Sequence, residues 1–258
     1  MSTLADILAL ERTAQDSWAT GVFDSDNDHI FGGQLLAQSL MACGLTVPGV
    51  LAPQSLHALF LSAGSSAAPV RIDVDRLHDD EVRAVRRCRV VQGDRVVLTM
   101  LASFAVQIPG LSLQGSVSPS VEVPGDMSVR YEHPVSQDIE IVDAAPHPGR
   151  AHPSRNWARV RPALGSDPLL QACALAYLSD FYTGLVQFAE FPIDPPVTSI
   201  DHALWFHRPF DAHEWLLFDW AGHMLTSGRG HYSGHVFDAH GVMVATASQE
   251  MVARLPRP

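Results

Sequence analysis

The stretch Leu169–Leu178, LLQACALAYL, carries ten residues of which only Gln171 is strongly polar. It follows Asp167-Pro168, a helix-start signature, and its length and Leu/Ala content favour a helix over a strand. A helix that is apolar almost all round has no face to give to water. It must be surrounded by protein. The first half of the chain repeats the feature. LLAQSLMA at Leu35 resembles LLQACALA at Leu169, and a helical run spans Gly33 to Cys43.

Working outward from each helix, the order of elements recurs. After the first come strand-like runs at Ser55–Leu61, Val70–Leu77, Arg83–Val91 and Arg95–Val106. After the second, Asp167–Ser179, come Ser199–Phe206, Glu214–Asp219, Gly228–Phe237 and Val242–Val252. HALF at His57 resembles HALWF at His202, and the turn Gln92-Gly93-Asp94 has a counterpart in Ala239-His240-Gly241. No single short match decides anything; the repeated order does. Runs such as VVLTMLASFAV mix alternation with unbroken apolar stretches, so one face of the sheet is packed hard. A twisted antiparallel sheet wrapped around one apolar helix satisfies both facts. That is the hotdog arrangement. Between the halves lies a Ser/Pro/Gly-rich stretch that breaks the patterning. The expectation is α+β: a double hotdog with two antiparallel sheets, each around a long apolar helix. Its parts are residues 1–108, a crossover at 109–129, and residues 130–258.

Composition narrows the function. Of 258 residues, 47% are apolar and 17% charged, enough for a sizeable core. Acidic residues outnumber basic ones 28 to 17, a formal net charge of -11. That argues against sequence-independent nucleic-acid binding, which needs a basic surface. No apolar run reaches the length of a membrane span. Met1 to Glu11 has no basic stretch before an apolar one and reads as a short helix, not a secretory signal. Cys43, Cys88 and Cys173 show no CxxC spacing and read as buried, reduced thiols. The expectation is a cytoplasmic protein without membrane or nucleic-acid partners.

Five segments carry a resemblance to a known family. FGGQLLAQSL (Phe31–Leu40), AYLSD (Ala176–Asp180), SIDHALWFHRPFD (Ser199–Asp211), GRGHYSG (Gly228–Gly234) and VATASQE (Val244–Glu250) resemble the medium- and long-chain acyl-CoA thioesterase II family of bacteria and peroxisomes. The resemblance covers nearly the whole chain, in order. It implies hydrolysis of a fatty acyl thioester to free acid and coenzyme A, without a cofactor. It also implies a homo-oligomer, a dimer or a higher assembly.

The resemblance further implies a catalytic set: Asp180, Ser199 and Gln249, holding a water for attack on the thioester. The residue types suit the task. A buried carboxylate can take a proton from water. A hydroxyl and an amide can orient that water without competing for the proton. Backbone N–H groups of Gly32, Gly33 and Gln34, at a helix start, are the expected oxyanion donors. His57 is expected either as a polar wall of the site or as a satisfied core histidine. Where the family often has Arg-Pro-Gly after this strand, the chain has Ser62-Ala63-Gly64. Arg229 is then the surviving candidate for an anionic contact, or a salt-bridged strand residue. Taken singly, Asp180 reads as a polar residue ending an apolar helix, and Ser199 and Gln249 as ordinary strand residues.

Other chemistries find less support. His231 and His235 share a strand face, and His240 follows, but no Cys or acidic ligand stands at metal-site spacing. No G-x-S-x-G elbow, Walker loop or dinucleotide fingerprint is present. Two rivals stay open: a hotdog enoyl-CoA hydratase, which would need an Asp–His pair near a helix start, and a non-catalytic acyl-CoA binding module.

Overall fold

The computed structural model describes residues 2–23, 28–125, 136–144, 154–188, 191 and 197–253. The last four residues of the expected crossover, 126–129, lie outside them.

The two apolar runs form helices α2 (Gly32–Gly44) and α3 (Pro168–Leu178), after a short α1 (Leu4–Leu8). From Gly33 to Gly44, and from Gln171 to Leu178, every helical residue is buried, as all-round apolarity requires. The helices lie against each other, antiparallel. Gly33, starting α2, sits against the carbonyl of Tyr177, ending α3; Gly44, ending α2, sits against Leu169, starting α3. A Cβ at either glycine would collide with those atoms.

The strands are β1 (Glu11–Ala14), β2 (Ser17–Ala19), β3 (Ala52–Phe60), β4 (Arg71–Asp79), β5 (Arg83–Gln92) and β6 (Arg95–Ala105) in the first half. The second half has β7 (Ile139–Asp143), β8 (Arg155–Val160), β9 (Val197–Ser199), β10 (Asp201–Phe206), β11 (Leu216–Thr226), β12 (Arg229–Asp238) and β13 (Met243–Ala253). Among the described residues they form one antiparallel sheet ordered β1-β2-β4-β5-β6-β3-β10-β13-β12-β11-β8-β7, with β9 added beside β13. The expected two sheets are therefore one. The free edge of β3 pairs with that of β10, from Asp201↔Leu59 to Trp205↔Ser55. This removes two exposed edges that would otherwise need covering. Read outward from that seam, each half has the same order: the strand after the helix, then the last, the third and the second.

One large core cluster runs between sheet and helices, and Val142, Trp157, Trp215, Leu217 and Phe237 form a second one. Strand alternation puts this second cluster on the opposite face of the sheet. The crossover lies over that side, with Val121 against the cluster and Gln114 bonded to Met243 N (2.7 Å) and Gly241 O (3.0 Å). Arg86 belongs to no edge: β5 is an interior strand, and Arg86 is fully buried. Its guanidinium donates to Thr46 O (3.1 Å) and Asp79 Oδ1 (2.5 Å), fastening the end of α2 to the sheet.

Candidate active site

Helix α3 ends at Leu178, and the chain turns at Ser179-Asp180 toward the start of α2. That start is unusual. Its N-cap, Phe31, makes no capping hydrogen bond through its side chain, whereas Asp167 caps α3 by accepting from Leu169 N (2.9 Å). The carboxylate of Asp180 fills the gap from another element: Gly33 N–H donates to it. Gly32 makes the approach possible, since a Cβ there would collide with Asp180 Oδ2. The α2 amides and dipole favour an ionised carboxylate at this point.

Strands from the second half complete the cluster. Gln249, on β13, donates through Nε2 to Asp180 Oδ1 (2.9 Å) and to Ser199 Oγ (2.6 Å), at the end of β9. Ser199 also bonds the carboxylate. On the other side of Gln249, its Oε1 accepts from the Tyr232 hydroxyl of β12 (2.7 Å) and lies 2.7 Å from His202 Nδ1 of β10. His202 Nε2 is 2.9 Å from Ser179 Oγ, and His202 Nδ1 is 3.8 Å from Asp180 Oδ1. The Asp180 side chain is only 6% exposed and that of His202 is 0% exposed.

Burial pushes the Asp180 carboxyl above its ordinary range; the neighbouring His202, Gln249, Gly33 and Ser199 pull it back in part. Burial likewise pushes His202 down toward the neutral ring, with the Asp180 charge and Gln249 pulling it back in part. The Tyr232 phenol is pushed well up, again by burial, and remains a donor. The result is a carboxyl poised to exchange a proton, held by groups that cannot easily take it.

The structure brings Asp180, Ser199, Gln249 and the Gly32-Gly33-Gln34 turn together. His57 is not among them. It is exposed and makes an edge contact with Trp205, ring centres 5.1 Å apart. Pleating is the reason: His57 pairs with Ala203 while His202 pairs with Ala58, so the two histidines face opposite sides of the sheet. Arg229 stands at the same end of the sheet as Ser199, 55% exposed, 3.5 Å from Glu250 Oε1. His231 bonds Ser248 (2.9 Å) and His235 bonds Ser116 (3.2 Å). No group of three or more potential metal ligands occurs among the described residues. Sequence reasoning passed over His202, Ser179 and Tyr232. Alternation along β10 was the available signal: His202 and Leu204 share the buried face.

A groove of about 590 Å³ lies elsewhere, between the start of α3 and the ends of β3, β6 and β10. Asp180 is not among its lining residues, and two of its larger polar side chains are already engaged. Gln171 bonds Gly165 O (2.7 Å) and Ala212 N (2.7 Å), and Arg208 bonds Met243 O (2.7 Å).

With the geometry in view, similarity to known proteins is informative. A model of the acyl-CoA thioesterase N-terminal domain matches residues 21–105, and one of the acyl-CoA thioesterase C-terminal domain matches residues 115–253. The crystal structure of an acyl-CoA thioesterase II from Mycobacterium marinum is 31% identical, with 99% of each chain covered and a TM-score of 0.83. Acyl-CoA thioesterase 2 of Haemophilus influenzae is 28% identical over 98% of each chain. A protein of unknown function with a hot dog fold from Alicyclobacillus acidocaldarius, at 20% identity, shares the fold over 100% of each chain with a TM-score of 0.81. Fold and neighbours define a thioester hydrolase of hotdog type. The chain belongs to the acyl-CoA thioesterase family.

Proposed function

We propose that this chain hydrolyses medium- to long-chain fatty acyl-CoA to free fatty acid and coenzyme A, with a water activated on Asp180, Ser199 and Gln249. The observation that carries the reading is the buried, base-poised carboxylate of Asp180, bound at once by Gln249, Ser199 and the first turn of α2. A thioester carbonyl is electrophilic enough that a positioned, partly deprotonated water suffices, and no cofactor is called for. Asp180 accepts a proton as the water oxygen bonds to the carbonyl carbon. Ser199 and Gln249 fix the water's place. The Gly33 amide is engaged by Asp180, so of the expected trio the Gly32 and Gln34 amides are the ones to meet the oxyanion that forms. Collapse breaks the carbon–sulfur bond, and the proton on Asp180 passes to the departing thiolate. The rings of Phe31, Tyr177 and Phe181 pack together around this turn, with Phe60 beside Gly32. They offer an apolar wall for the start of an acyl chain. Arg229 at the rim is the candidate contact for the anionic end of coenzyme A.

The same reading takes the molecule as a double hotdog, with units at residues 1–108 and 130–258 joined by 109–129. It is a homo-oligomer, a dimer or higher, and cytoplasmic. The three cysteines are free and buried, as in a reducing compartment, and no helix of the described residues is long and apolar enough to cross a membrane. The test is an assay of acyl-CoAs of several chain lengths with detection of the released thiol. Thiol release that rises with acyl length supports the proposal. Hydration of an enoyl-CoA without thiol release, or binding without turnover, would replace it with one of the two rivals.

A further inference from the structure

Gln249 ends in an amide with two unlike ends, and the reaction proposed above depends on which end faces Asp180. Two proton arrangements fit the observed distances. In one, Nε2 donates to Asp180 and Ser199, while Oε1 accepts from Tyr232 O–H and from a proton on His202 Nδ1. Ser179 O–H then donates to the bare His202 Nε2. In the other, the amide is turned over. Its Nε2 donates to bare His202 Nδ1, and His202 Nε2–H donates to Ser179, whose own proton goes to Ala176 O (3.0 Å). Tyr232 then gives its proton to Tyr182 O (3.3 Å). That second arrangement points Oε1 at Asp180, which must itself be protonated to avoid two facing acceptors.

We infer that His202 is a positioning residue: as the neutral tautomer with its proton on Nδ1, it holds the amino end of Gln249 on the ionised Asp180 and on Ser199. The inference rests on the proposed function and deepens it. Whichever way the amide lies, the Gly33 N–H reaches the Asp180 carboxylate at the positive end of α2, which favours its ionised form; an ionised carboxylate needs donors, not an amide oxygen, facing it. Such a setting belongs to the first arrangement. The titratable groups around the ring are Asp180 from the end of α3, Asp201 on its own strand, and Tyr232 from β12 across Gln249. None of these is a cation, so none opposes an Nδ1–H directed at Gln249. The tautomer thus selects the amide orientation that leaves the base ionised. In the reverse tautomer the base starts protonated, and the enzyme is idle.

Two measurements test this. Long-range 15N spectra of histidine-labelled protein, with the His202 signals assigned from a variant, read the tautomer directly. The expected result is a neutral ring protonated on Nδ1 at the pH where the enzyme turns over. A proton on Nε2, or an imidazolium, at a pH where the enzyme turns over would overturn the inference. The second measurement exploits side-chain geometry: the amide nitrogen of His202→Asn falls near Nδ1, that of His202→Gln near Nε2. His202→Asn is expected to keep kcat within about tenfold, while His202→Gln and His202→Ala lose on the order of 100-fold with KM nearly unchanged. The pH profile of kcat shifts in the Gln and Ala variants and not in Asn. Equal impairment of Asn and Gln, or a loss expressed in KM, would overturn it. If the wild type released no thiol from acyl-CoA, the proposed function would fall, yet the spectra would still report the tautomer.

Discussion

Asp180 sits between opposed forces. Burial disfavours its charge, while the amides and hydroxyl around it favour that charge, and burial dominates. Asp180→Asn is therefore expected to lower kcat by about 10²–10⁴-fold, the usual range for loss of a general base. A variant with wild-type kcat would end the assignment. The pH dependence follows from the direction of the shift. The base must be ionised, so kcat/KM rises with pH through an inflection above the ordinary carboxylate range of about 4; an inflection at or below that value would contradict it. Stability runs the other way. A folded-state pKa raised above the unfolded one adds no cost below the ordinary range, and a growing cost as pH rises through the folded value. Asp180→Asn should thus melt no lower than wild type at neutral pH. Ser199 makes a finer test. Its hydroxyl bonds Gln249 and Asp180, and a threonine keeps that hydroxyl. Ser199→Thr should retain much of the activity and Ser199→Ala should lose more; an alanine variant as active as wild type would reduce Ser199 to packing.

At the scale of elements, the start of α2 is a helix end capped by a carboxylate from another helix, and that needs glycine. Gly33→Ala offers a test by sign. In an exposed helix interior the change stabilises by about 1 kcal/mol. Here the added Cβ meets the Tyr177 carbonyl and the Phe31 ring, so a destabilisation of about 1–3 kcal/mol is expected, with loss of turnover as Asp180 is displaced. A raised melting temperature would show that the helices have room to part. The same element marks what sequence alone could reach. All-round apolarity made α2 and α3 plain, and alternation made the long strands plain. The strands β7 and β8 were not seen, because they are short and carry Glu140, Arg155 and Arg159. Glu140 is buried with Arg159 (2.7 Å) and Arg161 (2.6 Å) on it. Such charges read as surface until their partners are known. Local likeness does not carry orientation: HALF and HALWF are similar strings, but pairing at the β3–β10 seam sets His57 outward and His202 inward. The catalytic candidates came from resemblance, since nothing in the periodicity of β9 or β13 distinguishes Ser199 or Gln249 from their neighbours.

At the scale of the whole molecule, the seam decides whether the halves can live apart. Splitting the chain after residue 108 would free the β3 edge and strip α2 of its packing against α3. Residues 1–108 are therefore expected not to give a monodisperse, cooperatively folding monomer, and size-exclusion with thermal melting would show otherwise if they did. The seam also leaves a surface of its own. On its outer face Leu59, Leu101 and Trp205 lie exposed around His57, with His57↔Leu101 and Ser55↔Trp205 as direct cross-strand neighbours. Large apolar side chains gathered on the middle of an open sheet are more often covered than left in water. A closed symmetric assembly of identical chains covers such a patch with a copy of itself. The β5 arginines are not edge charges, since β5 is interior; Arg86 is buried on the helix side, while the exposed Arg87, paired with Asp75 (2.7 Å), lies directly beside Leu101 and rims the patch. Sedimentation velocity at micromolar concentration and below is expected to show a dimer or larger species. Leu59→Glu with Leu101→Glu should shift it toward the 28.0 kDa chain, because paired carboxylates on facing copies would be both buried and mutually repelled. A wild-type protein sedimenting as one 28.0 kDa species throughout would mean that the β3–β10 pairing alone is sufficient, and that this apolar face meets water.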